Sequence, residues 1–309
     1  MLAAEVETLL AFLNSQPNVP LAELTPEMMR KTTLPLAENV EPVFKVLNTE
    51  VPIAALDDEA GNSEPLAVRI YYPHAAEGNA STLPAILFFH GGGFVACDLD
   101  THDGMCRAIC NASASVVVSV DYRLAPEARF PAAPEDAYRA LLWLNQEAGA
   151  LGGDANAISV CGDSAGGNLA AVLCLLARDR QGPTIQKQIL IYPVTSPGCD
   201  TESQHKFAEG YFLGREQMQW FWRHYLGEAS NAQTPYVDLL AADLNNLPPA
   251  VIITAEYDPL CDEGKLYADR LATAGNRVDY QCVAGQIHGF CSFADFIPEG
   301  REALVALFG

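Results

Sequence analysis

The hydrophobic pattern of this chain changes character along its length, and the change separates two kinds of structure. Over residues 1 to about 45 the apolar positions fall in helical register, with Leu9, Leu10, Phe12 and Leu13 on one stripe. A second short helical segment is expected around Pro26 to Arg30, with Thr25 placed as its N-cap. Strand-like stretches with partial alternation begin near Val51 to Leu56 and Leu66 to Tyr72. From there on the apolar runs are nearly unbroken: Ala85 to Phe89, Val116 to Val120, Ile158 to Cys161, Ile189 to Tyr192 and Val251 to Thr254. Runs of this kind suit strands buried on both faces, as in a parallel sheet.

Helix-length segments lie between the runs, at about 103 to 112, 134 to 149, 165 to 180 and 262 to 274. The alternation predicts right-handed βαβ units and an α/β fold, a mostly parallel central sheet flanked by helices. It breaks between Tyr192 and Val251, roughly sixty residues that include the aromatic segment Gln219 to Tyr225. A structureless loop of that length is improbable in a compact domain. The segment is expected to be helical and to pack with the N-terminal helices as a cap over the sheet's C-terminal edge. The expected division is a helical cap from 1–45 and 196–245, and an α/β core from 46–195 and 246–309.

Composition narrows the functional classes. Of the 309 residues 50% are apolar and 18% charged, a globular balance. The net charge of −21 argues against a nucleic-acid partner, because phosphate binding needs clustered Lys and Arg. The nine cysteines are odd in number and show no paired zinc-ligand spacing, so no metal is expected. Cys106 and Cys110 lie on one helix face. Cys161, Cys174, Cys282 and Cys291 sit in apolar runs and read as small buried hydrophobes, reduced thiols of a cytoplasmic protein. The first residues carry two acids and no basic start, unlike a signal peptide. No apolar run approaches the ~20 residues of a membrane span, so no membrane partner is expected.

The candidate chemistry begins at Gly162-Asp163-Ser164-Ala165-Gly166. This G-x-S-x-G follows an apolar strand and precedes a helical run, the setting in which a serine sits on a tight elbow with its hydroxyl exposed. The glycines answer a steric need where strand and helix backbones approach. His90-Gly91-Gly92-Gly93-Phe94 directly follows the strand Ala85 to Phe89. Its glycines leave backbone N–H groups unobstructed, so Gly91 and Gly92, with Ala165, are the expected oxyanion donors. His90 is read as bracing this loop by hydrogen bonding rather than as a base.

A serine hydroxyl needs a base to take its proton, and the base needs an acid to orient it. In the α/β-hydrolase arrangement these occur in the order Ser, acid, His. Three histidines lie downstream of Ser164: His205, His224 and His288. The first two fall inside the expected cap. His288 lies in a glycine-flanked loop after the strand-like stretch Val278 to Val283. Asp258 comes after the run Val251 to Ala255 and is the leading acid, with Asp262 and Glu263, better placed to start the next helix, as competitors.

Through these residues and the segments around them, the chain resembles the bacterial hormone-sensitive-lipase-like esterases, family IV, in the branch whose elbow reads GDSAGG. The resemblance rests on HGGGF at 90–94, DYRLAPE at 121–127, PAAPEDAY at 131–138, GDSAGGN at 162–168, YP at 192–193, DPLCDEG at 258–264 and IHGF at 287–290. It implies Ser164, Asp258 and His288 as triad, Gly91, Gly92 and Ala165 as oxyanion donors, and a cap built from the N-terminal helices and the insertion. It also implies hydrolysis of short- to medium-chain acyl esters, a small-molecule substrate, no cofactor, and a possible homodimer through the sheet edge. Asp163, beside the nucleophile, would tie the elbow to neighbouring loops, or else cap the helix. Cys261 stands where relatives commonly carry a basic residue, and the last helix is expected to be short. Two alternatives stay open: an amidase or deacetylase on the same triad, and a catalytically silent binding protein. The presence of His288 argues against the second.

Overall fold

A computed structural model describes residues 1–16, 19–31, 40–52, 65–77, 82–227 and 234–308. Among these residues eight strands form one sheet: β1 (Lys45–Val51), β2 (Leu66–Tyr72), β3 (Leu83–Phe89), β4 (Val116–Val120), β5 (Gly153–Asp163), β6 (Gln188–Ile191), β7 (Ala250–Tyr257) and β8 (Val278–Ile287). Their spatial order is β1-β2-β4-β3-β5-β6-β7-β8. The first three of these are joined by antiparallel pairings, and every later pairing is parallel. The expected mostly parallel sheet is therefore the one observed. Its core strands read as unbroken apolar runs because helices cover both faces.

Successive side chains of a strand alternate between those faces. Ala85, Leu87 and Phe89 of β3 join one apolar cluster, while Ile86 and Phe88 join the other. The first cluster is completed by α4 (Ala132–Glu147), α5 (Ala165–Asp179) and α8 (Cys261–Thr273). The second is completed by α1 (Ala4–Ser15), α3 (Asp103–Ser113) and α9 (Pro298–Ala306). Among the described residues no helix is long and apolar enough to cross a membrane.

Several sequence expectations shift. The first strand is Lys45–Val51, N-terminal to the expected Val51 to Leu56, and Phe44 already donates its N–H to Tyr72. This is an edge strand with mostly exposed side chains, so burial imposes little apolar pattern on it. Residues 53–56 lie outside the described ones. Of the N-terminal segment, α1 and α2 (Pro26–Lys31) are helical, and Thr25 Oγ1 accepts the Met28 N–H at 3.2 Å as its N-cap. Among its described residues the insertion holds two helices, α6 (Glu202–Lys206) and α7 (Arg215–Leu226), with turns and bends between them. Trp220, Phe221, Trp222 and Tyr225 of α7 are buried in the first cluster, so these aromatics anchor the insertion onto the core. Among the cysteines, Cys161, Cys174 and Cys291 are buried as expected, but Cys282 is exposed. It lies on the outermost strand, whose middle residues face solvent.

Candidate active site

The elbow begins where β5 ends. Ser164 adopts φ 53° and ψ −117°, and α5 starts at the next residue. This sharp reversal brings three backbones together. A Cβ at Gly162 would collide with the Gly166 carbonyl, and one at Gly166 would collide with the Phe89 carbonyl. Only glycine fits either position, which is the steric demand behind the motif. The turn is held by the Ser164 N–H donating to Ile191 at 2.9 Å, and by the Ser164 carbonyl accepting from Asn168 and Val194.

Three distant residues meet at the C-terminal edge of the sheet. His288, just past β8, places Nε2 2.9 Å from Ser164 Oγ and Nδ1 2.8 Å from Asp258 Oδ2. Asp258, just past β7, accepts the Leu260 N–H on its other oxygen at 2.8 Å. Ser164, His288 and Asp258 are 7%, 6% and 0% exposed, so bulk water does not compete for these bonds. Tyr192, at the end of β6, lays its ring 4.7 Å from the His288 imidazole and 5.7 Å from Phe290.

The competing acids are used elsewhere. Asp262 accepts the Ser203 N–H at 2.7 Å. Glu263 accepts from the Thr195 N–H at 2.7 Å, the Ser196 N–H and the Gln204 amide. Both therefore hold the start of the insertion against α8. His205 pairs with Asp200 at the surface, and His224 bonds the Trp220 carbonyl.

Glu263 has a pH signature. Burial pushes its carboxyl up from an ordinary value near 4.5 to about 7, against the pull of its three donors. The folded chain therefore binds this proton more tightly than the unfolded chain does. The group's contribution to stability is complete below about pH 4.5 and is lost as pH rises through about 7. Glu263→Gln removes that loss. Its melting temperature, measured relative to wild type, should improve between about pH 5 and about pH 8; a difference that does not move with pH would place the proton elsewhere.

The glycine loop after β3 differs from expectation at one residue. The Gly91 N–H, expected to face the oxyanion, donates instead to Asp163 Oδ1 at 2.9 Å, so its hydrogen is already engaged. Gly92 and Gly93 come next at φ 100° and φ 62°, left-handed values that side chains other than glycine adopt at a cost. A Cβ on Gly93 would strike the Phe221 ring of α7. Gly92 and Gly93 border a cavity of about 1460 Å³ together with Ser164 and His288. Their N–H groups, and that of Ala165 at the start of α5, have no hydrogen-bond acceptor among the described residues.

Behind the loop lies a polar support that sequence reasoning reached only in part. Asp163 is buried; burial pushes its carboxyl up, but the charge and hydrogen bond of His102 outweigh this and hold it down. The His102 Nε2 lies 3.2 Å from Asp163 Oδ1. His90 is fully buried, its Nδ1 donates to the Gly91 carbonyl at 2.7 Å, and its ring stacks on Tyr122 at 4.3 Å. Burial, then the nearby His102, pushes the His90 imidazole down to about 4, so it stays neutral. Tyr192 falls in the YP motif at 192–193 but with no role attached to it, and His102 lies in none of the quoted motifs. Their importance lies in contacts made across elements.

Comparison with known proteins places this geometry in a family. A family model described as alpha/beta hydrolase fold matches residues 86–292, the larger part of the chain. The chain is 43% identical over 259 residues to "Esterase LipI" of Mycobacterium tuberculosis, covering 82% of this chain and 80% of that one. It is 38% identical over 242 residues to "Ethyl acetate hydrolase" of Pseudomonas putida, covering 78% and 76%. Its structure matches that of a hyperthermophilic esterase from the archaeon Pyrobaculum calidifontis with a TM-score of 0.90 and 39% identity, over 99% of this chain and 96% of the other. The chain belongs to the α/β-hydrolase family, among its hormone-sensitive-lipase-like esterases, and is a serine-type carboxylic ester hydrolase.

Proposed function

We propose that Ser164, His288 and Asp258 are the catalytic triad, and that the protein hydrolyses small-molecule esters with short- to medium-chain acyl groups. The observation that carries this reading is the unbroken line from Ser164 Oγ through the His288 imidazole to Asp258, with bonds of 2.9 and 2.8 Å. His288 Nε2 takes the hydroxyl proton as Oγ attacks the ester carbonyl. Asp258 holds Nδ1–H and stabilises the imidazolium that forms. The carbonyl oxygen becomes an oxyanion held by the Gly92, Gly93 and Ala165 N–H groups, the last backed by the N-terminus of α5. His288 then protonates the departing alcohol, and water repeats the sequence on the acyl-enzyme. No metal or organic cofactor enters this scheme.

Residues 1–45 and 196–245 act as a cap over a core of 46–195 and 246–309 in the same reading. Support comes from Arg30 of α2, which donates to the Val95 and Ala125 carbonyls and pairs with Glu127. Leu21, Leu24, Leu213 and Met218 line the same cavity as the nucleophile, apolar surface suited to an acyl or alcohol group. We also infer a cytoplasmic location, which nine unpaired cysteines support, and a homodimer through the sheet edge that β8 leaves open.

The test is a rate profile over p-nitrophenyl esters from acetyl to dodecanoyl, with matched anilides. Turnover should be highest for chains up to octanoyl and fall by dodecanoyl, and the anilides should react far more slowly. Anilides cleaved faster than their esters would convert the reading to an amidase.

A further inference from the structure

We propose that Cys261 and Cys282 form a two-thiol oxidation site that closes to an intramolecular disulfide when a hydroperoxide reaches it. The site lies outside the ester-hydrolysing machinery and does not depend on that assignment. Cys261 is the first residue of α8, and Cys282 lies midway along β8. The β7–β8 register sets Thr254 beside Cys282, and the Cys261 Sγ lies 3.8 Å from the Thr254 hydroxyl. The first turn of α8 therefore sits over the β7–β8 pair, and the two sulfurs stand 3.7 Å apart.

Accessibility and chemistry both single out this pair. Cys282 is exposed and Cys261, like Cys97, partly so, whereas Cys110 and Cys199 are buried, and so are Cys106, Cys161, Cys174 and Cys291. Burial pushes those four thiols up, keeping them protonated and unreactive. Cys97 is likewise pushed up to about 12 by burial. At the pair a hydrogen bond joins the two sulfurs. The bond from Cys261 pulls Cys282 down to about 6, and the same bond pushes Cys261 up. Cys282 is the nucleophilic thiolate, and Cys261 is the resolving thiol.

The chemistry balances with the hydroperoxide as oxidant. The Cys282 thiolate attacks one peroxide oxygen, the O–O bond breaks, and the departing hydroxide (alkoxide, for an organic hydroperoxide) is protonated. Cys282 is left as a sulfenic acid. The Cys261 sulfur then attacks the Cys282 sulfur. An S–S bond forms, the S–O bond breaks, and the released hydroxide takes the Cys261 proton as water. Two thiols lose two electrons, and hydrogen peroxide becomes two waters. Cys261 also donates its N–H to the Asp258 carbonyl at 3.0 Å, and β8 leads directly to His288. The new bond would tie the strand leading to the imidazole to the turn that carries its carboxylate.

The experiment treats the reduced full chain with a modest excess of hydrogen peroxide, blocks remaining thiols under denaturing conditions, and maps the products by mass spectrometry. The expected result is a loss of about 2 Da, two fewer blocked thiols than the nine of the reduced chain, and a fragment joining Cys261 to Cys282 that dithiothreitol separates. Cys261→Ser should stop at a Cys282 sulfenic acid that dimedone captures. A wild-type chain that retains all its thiols overturns the proposal. So does one whose Cys282 advances to a sulfinic acid, or one whose Cys282 joins a second chain.

Discussion

Ser164→Ala is expected to abolish turnover of p-nitrophenyl butyrate, lowering kcat by about a millionfold, the scale seen when the nucleophile of a comparable triad is removed. The loss is this large because no other group takes the place of Oγ, 2.9 Å from His288 Nε2. The fold should be indifferent to the change. Ser164 keeps its backbone bonds to Ile191, Asn168 and Val194, and alanine meets the same strained φ of 53° that serine does. The melting temperature should therefore stay close to that of wild type, and substrate should still occupy the cavity. A variant that remains folded and retains a substantial rate would remove Ser164 from the chemistry.

Asp258→Asn is expected to cost ~10,000-fold in kcat, and the reason is a tautomer. The carboxylate accepts from His288 Nδ1–H, which leaves Nε2 unprotonated and ready to take the serine proton. An asparagine that presents its NH2 group to Nδ1 forces the ring proton onto Nε2, and the base is gone. The neighbouring acids supply the control. Asp262 and Glu263 bond Ser203, Thr195, Ser196 and Gln204 rather than the imidazole, so Asp262→Asn should keep most of the rate. A near-normal Asp258→Asn enzyme beside a dead Asp262→Asn enzyme would transfer the orienting role.

The proposed oxyanion donors show how a shift of one residue can be decided. Gly91, Gly92 and Gly93 are equivalent as letters, and each could in principle aim an N–H at the nucleophile. Asp163 breaks the equivalence by reaching across from the elbow to take the Gly91 N–H at 2.9 Å. The carboxylate is itself held by His102, eleven residues beyond Gly91 on another segment. The loop then continues through two left-handed residues under the Phe221 ring. The proposed donor set of Gly92, Gly93 and Ala165 thus follows from a buried polar network between β3, β5 and the start of α3. Buried carboxylates of this kind must find donors, and Asp163 finds one in the loop it supports.

The sequence by itself determined the features that depend on neighbours along the chain. Unbroken apolar runs such as Ala85 to Phe89 define doubly buried strands through their own hydrophobicity. The G-x-S-x-G segment requires a strand–elbow–helix because Gly162 and Gly166 are the only residues that leave room for it. Asp258 and His288 could be singled out because each comes just after a strand, and parallel strands bring the residues past their C-terminal ends to one edge. Tertiary structure alone decided the features that depend on neighbours across the sheet. It turned Gly91 inward, laid Tyr192 against the imidazole, moved the edge strand to Lys45–Val51, and brought Cys261 to the exposed Cys282. Such contacts join residues with no shared periodicity. Their distances come from register, helix placement and the competition of buried polar groups for partners, none of which the linear pattern of apolar and polar letters encodes.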